Sequence, residues 1–262
     1  MTGHTGPTTS GRSSVRAAGS PSRNDPVWDG IAAVLAEREV SRPGTALEVV
    51  DVGGGSGVYA VQIAARGHRV TVVDPSPNAL ATLERRALDA DVADRIVPIQ
   101  GDTGGLTELV PPGRADLVLC HGVLDVVDDP GAALAAVAAP PADPAPVSVV
   151  GPGRNGAVVR RVFAGHVADA LAILRSAEGT YGGPDPLPRR YTIEAIADLL
   201  AEAGLVARTV RGVRTFADII GSGGTDEIPD SAEVAAIDDL VADDPAFRMF
   251  AATLHVVAER RP

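Results

Sequence analysis

The sequence predicts a doubly wound α/β fold built on a mostly parallel, seven-stranded sheet. Three observations carry the prediction. Short apolar runs recur at 46–52, 69–73, 96–100, 116–120 and 146–150. Stretches with helical spacing separate them, long enough to serve as crossovers between parallel strands. A glycine cluster stands where the first run gives way to a helix, the place where such sheets bind ligands.

In chain order, residues 1–22 are Gly, Ser, Thr and Pro with scattered Arg. They offer little to bury and read as a disordered leader, leaving 23–262 as one domain. Trp28, Ile31, Val34 and Leu35 fall at helical spacing and end before Pro43. A helix over 58–65 is closed by Gly67, and one over 77–88 opens on proline. Another follows Pro130. After Gly151 the alternation loosens. One long helix is predicted from Ala157 to Ser176, then a Gly/Pro loop over 182–187 and a helix over 193–203. Two more strands, 206–213 and 254–259, flank a largely helical segment starting near Ser231. The stretch 151–188 is a helical insertion, placed to act as a lid over a site.

Composition narrows the function. The chain is 45% apolar but only 3% aromatic, so its core is built from Ala, Val, Leu and Ile. A net charge of −11 keeps it soluble and opposes a broad nucleic-acid surface, leaving room for a local basic patch. One cysteine, Cys120, excludes an internal disulfide framework and a cysteine-built zinc site, so a reducing cytoplasm is the simplest compartment. The Ala/Val-rich stretch 132–150 is broken by Pro140, Pro141, Pro144 and Pro146, too often to span a bilayer. Asp125, Asp128 and Asp129 read as a solvated acidic loop, and no metal site is expected.

The strongest signal is Val49-Val50-Asp51-Val52-Gly53-Gly54-Gly55-Ser56-Gly57. Glycines let the backbone turn sharply and approach a ligand, and the next helix points unpaired N–H groups at the turn. Asp74 closes the second strand, where a carboxylate accepts from both ribose hydroxyls of a nucleoside. Turn and acid together indicate an adenosine-containing cofactor. A dinucleotide site prefers G-x-G-x-x-G, but Val58 stands where its last glycine belongs, which disfavours an NAD oxidoreductase. Here Gly53, Gly55 and Gly57 give G-x-G-x-G, and Asp51 lies two residues before the first of them. That carboxylate suits a cationic amino group and repels a pyrophosphate. Gly101-Asp102-Thr103 follows the third strand and Cys120-His121-Gly122 the fourth. Singly, these read as a surface acid and a structural histidine.

The pattern resembles the class I methyltransferases, whose cofactor is S-adenosyl-L-methionine. A closer resemblance, from about Arg23 to the C-terminus, is to the bacterial methyltransferases that esterify 5-carboxymethoxyuridine at the tRNA wobble position. It rests on Val27-Trp28 with 34–37, on 51–55, on Arg66-Gly67-His68, and on His121-Gly122-Val123-Leu124-Asp125. Ala164-Gly165, Gly212-Val213-Arg214-Thr215-Phe216 and the closing His255-Val256-Val257-Ala258 extend it. The resemblance implies that Arg23, Gly53, Gly54, Asp74, Asp102, Thr103 and His121 contact the cofactor, beside Asp51 and Gly55 of the turn. Arg23 would pair with the methionine carboxylate, and Asp102 would accept from the adenine amino group.

The chain departs from that family on the RNA side. Gly182-Gly183-Pro184-Asp185-Pro186 replaces a lysine-rich loop, and 151–156 lacks the aromatic-Asn start. The expected reaction is in-line attack on a sulfonium methyl. A carboxylate acceptor, with a pKa near 4, needs a cation to bind it and no general base; Arg189, Arg190 and Arg214 are the candidates. A phenol or amine acceptor would call on His121 or Asp125 as base. The acceptor is thus tRNA or, given the acidic surface and the missing lysines, a small metabolite. Binding of the cofactor without catalysis is the third alternative.

Overall fold

The computed structural model describes residues 25–142, 145–220 and 231–261. The predicted leader and Arg23 lie outside the described residues. Asp25 opens the described fold by capping α1 (Pro26–Ser41): its Oδ1 accepts from the Val27 and Trp28 amides. There follow β1 (Glu48–Val52), α2 (Val58–Ala65), β2 (Arg69–Asp74), α3 (Pro77–Asp89) and β3 (Ile96–Gln100). After α4 (Leu106–Leu109) come β4 (Leu117–His121), α5 (Pro130–Val137) and β5 (Val147–Pro152). The last third holds α6 (Arg154–Phe163), α7 (Val167–Arg175), α8 (Ile193–Glu202) and β6 (Leu205–Val213). It ends with α9 (Ala217–Ile220), α10 (Ser231–Val241), α11 (Pro245–Arg248) and β7 (Thr253–Arg260).

The seven strands form one sheet in the order β3-β2-β1-β4-β5-β7-β6, parallel except for β7, which runs against both neighbours. Successive strand residues face opposite sides of a sheet. Val49, Val70, Val72, Leu117 and Leu119 pack with Ile31, Ile63 and Leu83 from α1, α2 and α3. Val50, Val118, Cys120, Val147 and Val149 pack with Leu134, Ile196 and Leu200 from α5 and α8. Strand order reverses between β1 and β4, which opens a crevice at their carboxyl ends.

The expected long helix from Ala157 to Ser176 is a pair of helices instead. Gly165 takes a φ of +78° between α6 and α7, a left-handed conformation that ends the first. Arg154 then donates to the carbonyls of Ile173, Leu174 and Ser176, tying the end of α7 back to the start of α6. Among the described residues no helix is long and apolar enough to cross a membrane.

The edge of the sheet remote from the crevice is pinned by one acid. Asp116, fully buried, accepts from Arg42 at 2.5 Å, Arg38 at 3.3 Å and the Glu48 amide at 2.9 Å. Burial alone would raise its pKa, but these donors hold it below the ordinary carboxylate value. Asp116→Asn leaves two arginines without their counter-charge and is expected to cost about 2 kcal/mol in chemical denaturation. A loss indistinguishable from zero would show that this ion triad contributes nothing to the fold.

Candidate functional site

The crevice between β1 and β4 is floored by the glycine turn. Gly53, Gly55 and Gly57 all take positive φ, at +71°, +55° and +73°, where a side chain would strain the backbone. Gly54 matters through contact: a Cβ there would lie 2.5 Å from Asp51 Oδ2 and 2.9 Å from Val72 Cγ1. The Asp51 carboxylate therefore sits directly against the turn. It is 3% exposed, and burial first, then the nearby Asp74 charge, push its pKa up to about 7. Among the described residues no cation or hydrogen-bond donor compensates it. Asp74 is the contrary case: Oδ2 accepts from Gly55 N at 2.9 Å and Oδ1 from Ser76 N at 2.8 Å.

A cleft of about 180 Å³ opens beside the turn, lined by Gly53, Asp74, Gly101, Asp102, Thr103 and Val123, among others. Four of the sequence-predicted cofactor residues thus meet in one cavity. Asp102 is exposed on the rim, and its Oδ1 accepts from the Gly104 and Gly105 amides at 2.9 and 3.3 Å. It is a loop-capping acid that also lines the cleft.

His121 closes β4 next to that cleft. Its ring meets Tyr59 edge to face, with centroids 5.5 Å apart, and its Nε2 lies 2.9 Å from the Ser148 hydroxyl. Its Nδ1 is shielded and has no partner among the described residues. Burial, then neighbouring His255, hold the imidazole well below its ordinary pKa, so it is neutral at pH 7. Tyr59 donates to Asp25 Oδ2 at 3.1 Å, and burial followed by Asp25 and Asp51 raises its pKa. Sequence reasoning missed Tyr59, Ser148 and His255. Asp125 is buried with Oδ1 unpaired, and burial raises its pKa.

The predicted substrate arginines separate into three cases. Arg190 is a structural clamp: its side chain is 2% exposed and grips both Asp185 oxygens, at 2.6 and 2.8 Å, besides the Gly179 carbonyl. Arg189 spends its guanidinium on the carbonyls of Leu124, Val127 and Asp128, bracing the loop after β4. Arg190 nevertheless reaches the cleft that Arg214 lines, and Arg189 meets carbonyls alone, with no carboxylate partner among the described residues. Arg214 differs. Its side chain is 60% exposed, beside Asp218 at 3.0 Å, and its φ is +60°. With Arg160 and Arg190 it lines a second cleft of about 240 Å³, where Arg160 also pairs with Asp218 at 3.5 Å. Pro152, Gly153, Ala252 and Thr253 wall that cleft, at the ends of β5 and β7 on the same sheet edge as His121. Among the described residues no group of His, Cys, Asp and Glu is placed to hold a metal ion.

Residues 49–139 match a methyltransferase-domain family. The tRNA 5-carboxymethoxyuridine methyltransferase of Escherichia coli O157:H7 is 28% identical over 195 residues, which cover 74% of this chain and 71% of that protein. Among solved structures, a plantazolicin methyltransferase superposes with a TM-score of 0.57 at 15% identity, covering 90% of this chain and 85% of that one. The magnesium protoporphyrin IX methyltransferase of Synechocystis PCC 6803 gives a TM-score of 0.54 at 16% identity, with 89% and 83% covered. At such identities the likeness is one of fold. The match over residues 49–139, the strand order and the glycine turn together support a methyltransferase of the class I, S-adenosylmethionine-dependent type.

Proposed function

We propose that this methyltransferase binds S-adenosyl-L-methionine across the β1–β4 crevice and methylates the carboxylate of 5-carboxymethoxyuridine in tRNA. The observation that carries the cofactor assignment is the buried, uncompensated Asp51 carboxylate against the glycine turn. A cationic amino group fits it, and an anionic cofactor does not. Asp74 and the backbone of Gly53, Gly54 and Gly55 would hold the ribose and methionine portions. Asp102 and Thr103 would hold the adenine, and His121 would border the methionine end. Arg23 completes the proposed set from outside the described residues. Bound there, the cofactor supplies a methyl group already activated on a sulfonium. The protein's task is then to orient the acceptor and exclude water.

The acceptor assignment draws on the similarity to the tRNA-modifying relative and on the exposed cation Arg214, beside Arg160, in the second cleft. A carboxylate docked on that pair needs no proton removed, so no general base is invoked. Placing the protein in the cytoplasm belongs to the same proposal. One observation favours a small-metabolite acceptor instead. All 23 basic side chains are arginine, the net charge is −11, and Arg189 and Arg190 are committed internally, which leaves a thin basic surface for RNA.

The two readings part in one experiment. Undermodified tRNA and a metabolite extract are each incubated with labelled cofactor, and the tRNA is digested to nucleosides. Label on wobble 5-carboxymethoxyuridine is the expected result, reduced at least tenfold by Arg214→Ala if one charged contact is lost. Label confined to the extract would decide for the metabolite.

Asp74→Ala should weaken S-adenosylhomocysteine about 100-fold in calorimetry, the loss of two charge-assisted hydrogen bonds. Unchanged affinity in a folded variant would remove Asp74 from the site.

Asp51 gives a pH dependence whose sign is fixed. Its pKa is near 7 in the cofactor-free protein, and a cationic ligand favours the ionised form. Binding below pH 7 must therefore expel a proton. Affinity is expected to rise about tenfold per pH unit between pH 5 and 6.5, then level off. Asp51→Asn should weaken binding and flatten that slope. A flat wild-type profile would mean that the carboxylate does not meet a cation.

A further inference from the structure

Interior strands of a mostly parallel sheet are apolar on both faces. Ser148 on β5 and His255 on β7 break that pattern, being 1% and 2% exposed. The Ser148 hydroxyl lies 2.8 Å from His255 Nε2 and 2.9 Å from His121 Nε2. Three adjacent strands thus each give one side chain to a single hydrogen-bonded chain. Helix α1 is shaped around its far end. A Cβ on Gly30 would collide with the His255 ring, lying 2.8 Å from Nδ1 and closer still to Cε1. The helix carries a glycine there although glycine weakens a helix interior.

A hydroxyl has one proton, so Ser148 donates to one imidazole and accepts from the other. Burial, then the neighbouring Arg211 charge, lower the His255 pKa to about 4, so both rings are neutral at pH 7. Each neutral ring has one N–H and one lone pair. The two histidines must therefore be opposite tautomers. If His121 donates from Nε2, Ser148 passes its own proton to His255, and His121 Nδ1 carries a lone pair. The reverse arrangement leaves an N–H at Nδ1. That atom is shielded and unpartnered among the described residues. The first arrangement puts the other N–H on His255 Nδ1, which is not among the shielded, unpartnered atoms. It is favoured because an orphaned N–H is costlier and rarer than an unused lone pair.

The geometry points to Ser148 and His255 as positioning residues that hold His121 in the Nε2–H tautomer, so that the ring beside the cofactor cleft carries a lone pair and no N–H at Nδ1. This rests on the cofactor reading above. The ring stands edge-on to Tyr59, which feels the Asp51 charge, and Gly122 and Val123 after it line the cleft. A lone pair tolerates a nearby ammonium or sulfonium, whereas an N–H dipole repels it.

The test is ¹⁵N-histidine NMR with and without S-adenosylhomocysteine, alongside calorimetry. The wild type should show His121 protonated at Nε2 and His255 at Nδ1. Ser148→Ala should mix the His121 tautomers and weaken S-adenosylhomocysteine about tenfold, the loss of one hydrogen bond's ordering. His255→Gln, whose amide oxygen can accept the Ser148 proton, should retain the His121 tautomer and the affinity, whereas His255→Leu should behave as Ser148→Ala. His121 protonated at Nδ1 in the wild type would overturn the proposal. So would an unchanged tautomer and affinity in Ser148→Ala, or equal behaviour of His255→Gln and His255→Leu. If Ser148→Ala does not fold, the wild-type spectrum and the His255 pair decide. A wild type that binds no S-adenosylhomocysteine, yet keeps opposite tautomers, would sink the cofactor assignment and leave the tautomer lock standing.

Discussion

The arrangement turns on a carboxylate buried where nothing among the described residues neutralises it. Asp51 occupies an interior strand among Val49, Val50 and Val52, beside a second acid at the end of the neighbouring strand. The two acids have opposite fates. Asp74 is settled by the Gly55 and Ser76 amides, whereas Asp51 meets burial and a like charge. A folded chain keeps such a group where a ligand completes it. The glycines follow from the same requirement. With side chains at Gly53, Gly54 and Gly57 the turn would meet Val123, Asp51 and Leu83, and the approach to the acid would close.

Much of this was legible in the sequence because its determinants are local. The helix at 58–65 and the strand at 96–100 have the expected bounds, set by Gly57 and Gly67 for the helix and by β-branched residues for the strand. The glycine turn, Asp74, Asp102 and Thr103 also fall together, since position in the strand–helix alternation decides which edge of the sheet a residue reaches. What stayed hidden depends on distant partners. A strand pattern carries no direction, so the antiparallel course of β7 is set by tertiary packing. Gly165 within an apolar periodic stretch is compatible with one helix until Arg154 draws the second half back.

The arginines show the limit most clearly. Arg189 and Arg190 are adjacent and chemically alike. One grips an acid five residues away, and the other braces carbonyls more than sixty residues earlier in the chain. No spacing distinguishes them. Arg214 looks the least remarkable of the three in sequence, yet it lines the cleft with a side chain 60% exposed, where Arg190 reaches the same cleft almost fully buried. Ser148 and His255 did leave a trace, as polar residues inside otherwise apolar strands. That trace says that each has a partner without saying which.

Strand order gives these pieces a common logic. The glycine turn and its acids lie at β1 and β2, the arginine cleft lies at the ends of β5, β7 and β6, and β4 stands between them. Methyl transfer requires donor and acceptor to meet in line, so on the proposed reading the group at the tip of β4 would border both. That group is His121, and the hydrogen-bonded chain behind it runs through β5 to β7, beneath the acceptor side. The imidazole is therefore braced from the direction in which an incoming acceptor would press. Burial keeps that ring neutral, and on the proposed reading this matters, because a cation between Asp51 and an incoming carboxylate would compete with the sulfonium for both. A neutral ring, tied to a hydroxyl that can satisfy it without charging it, would fill that place and leave the positive charge to the reacting group.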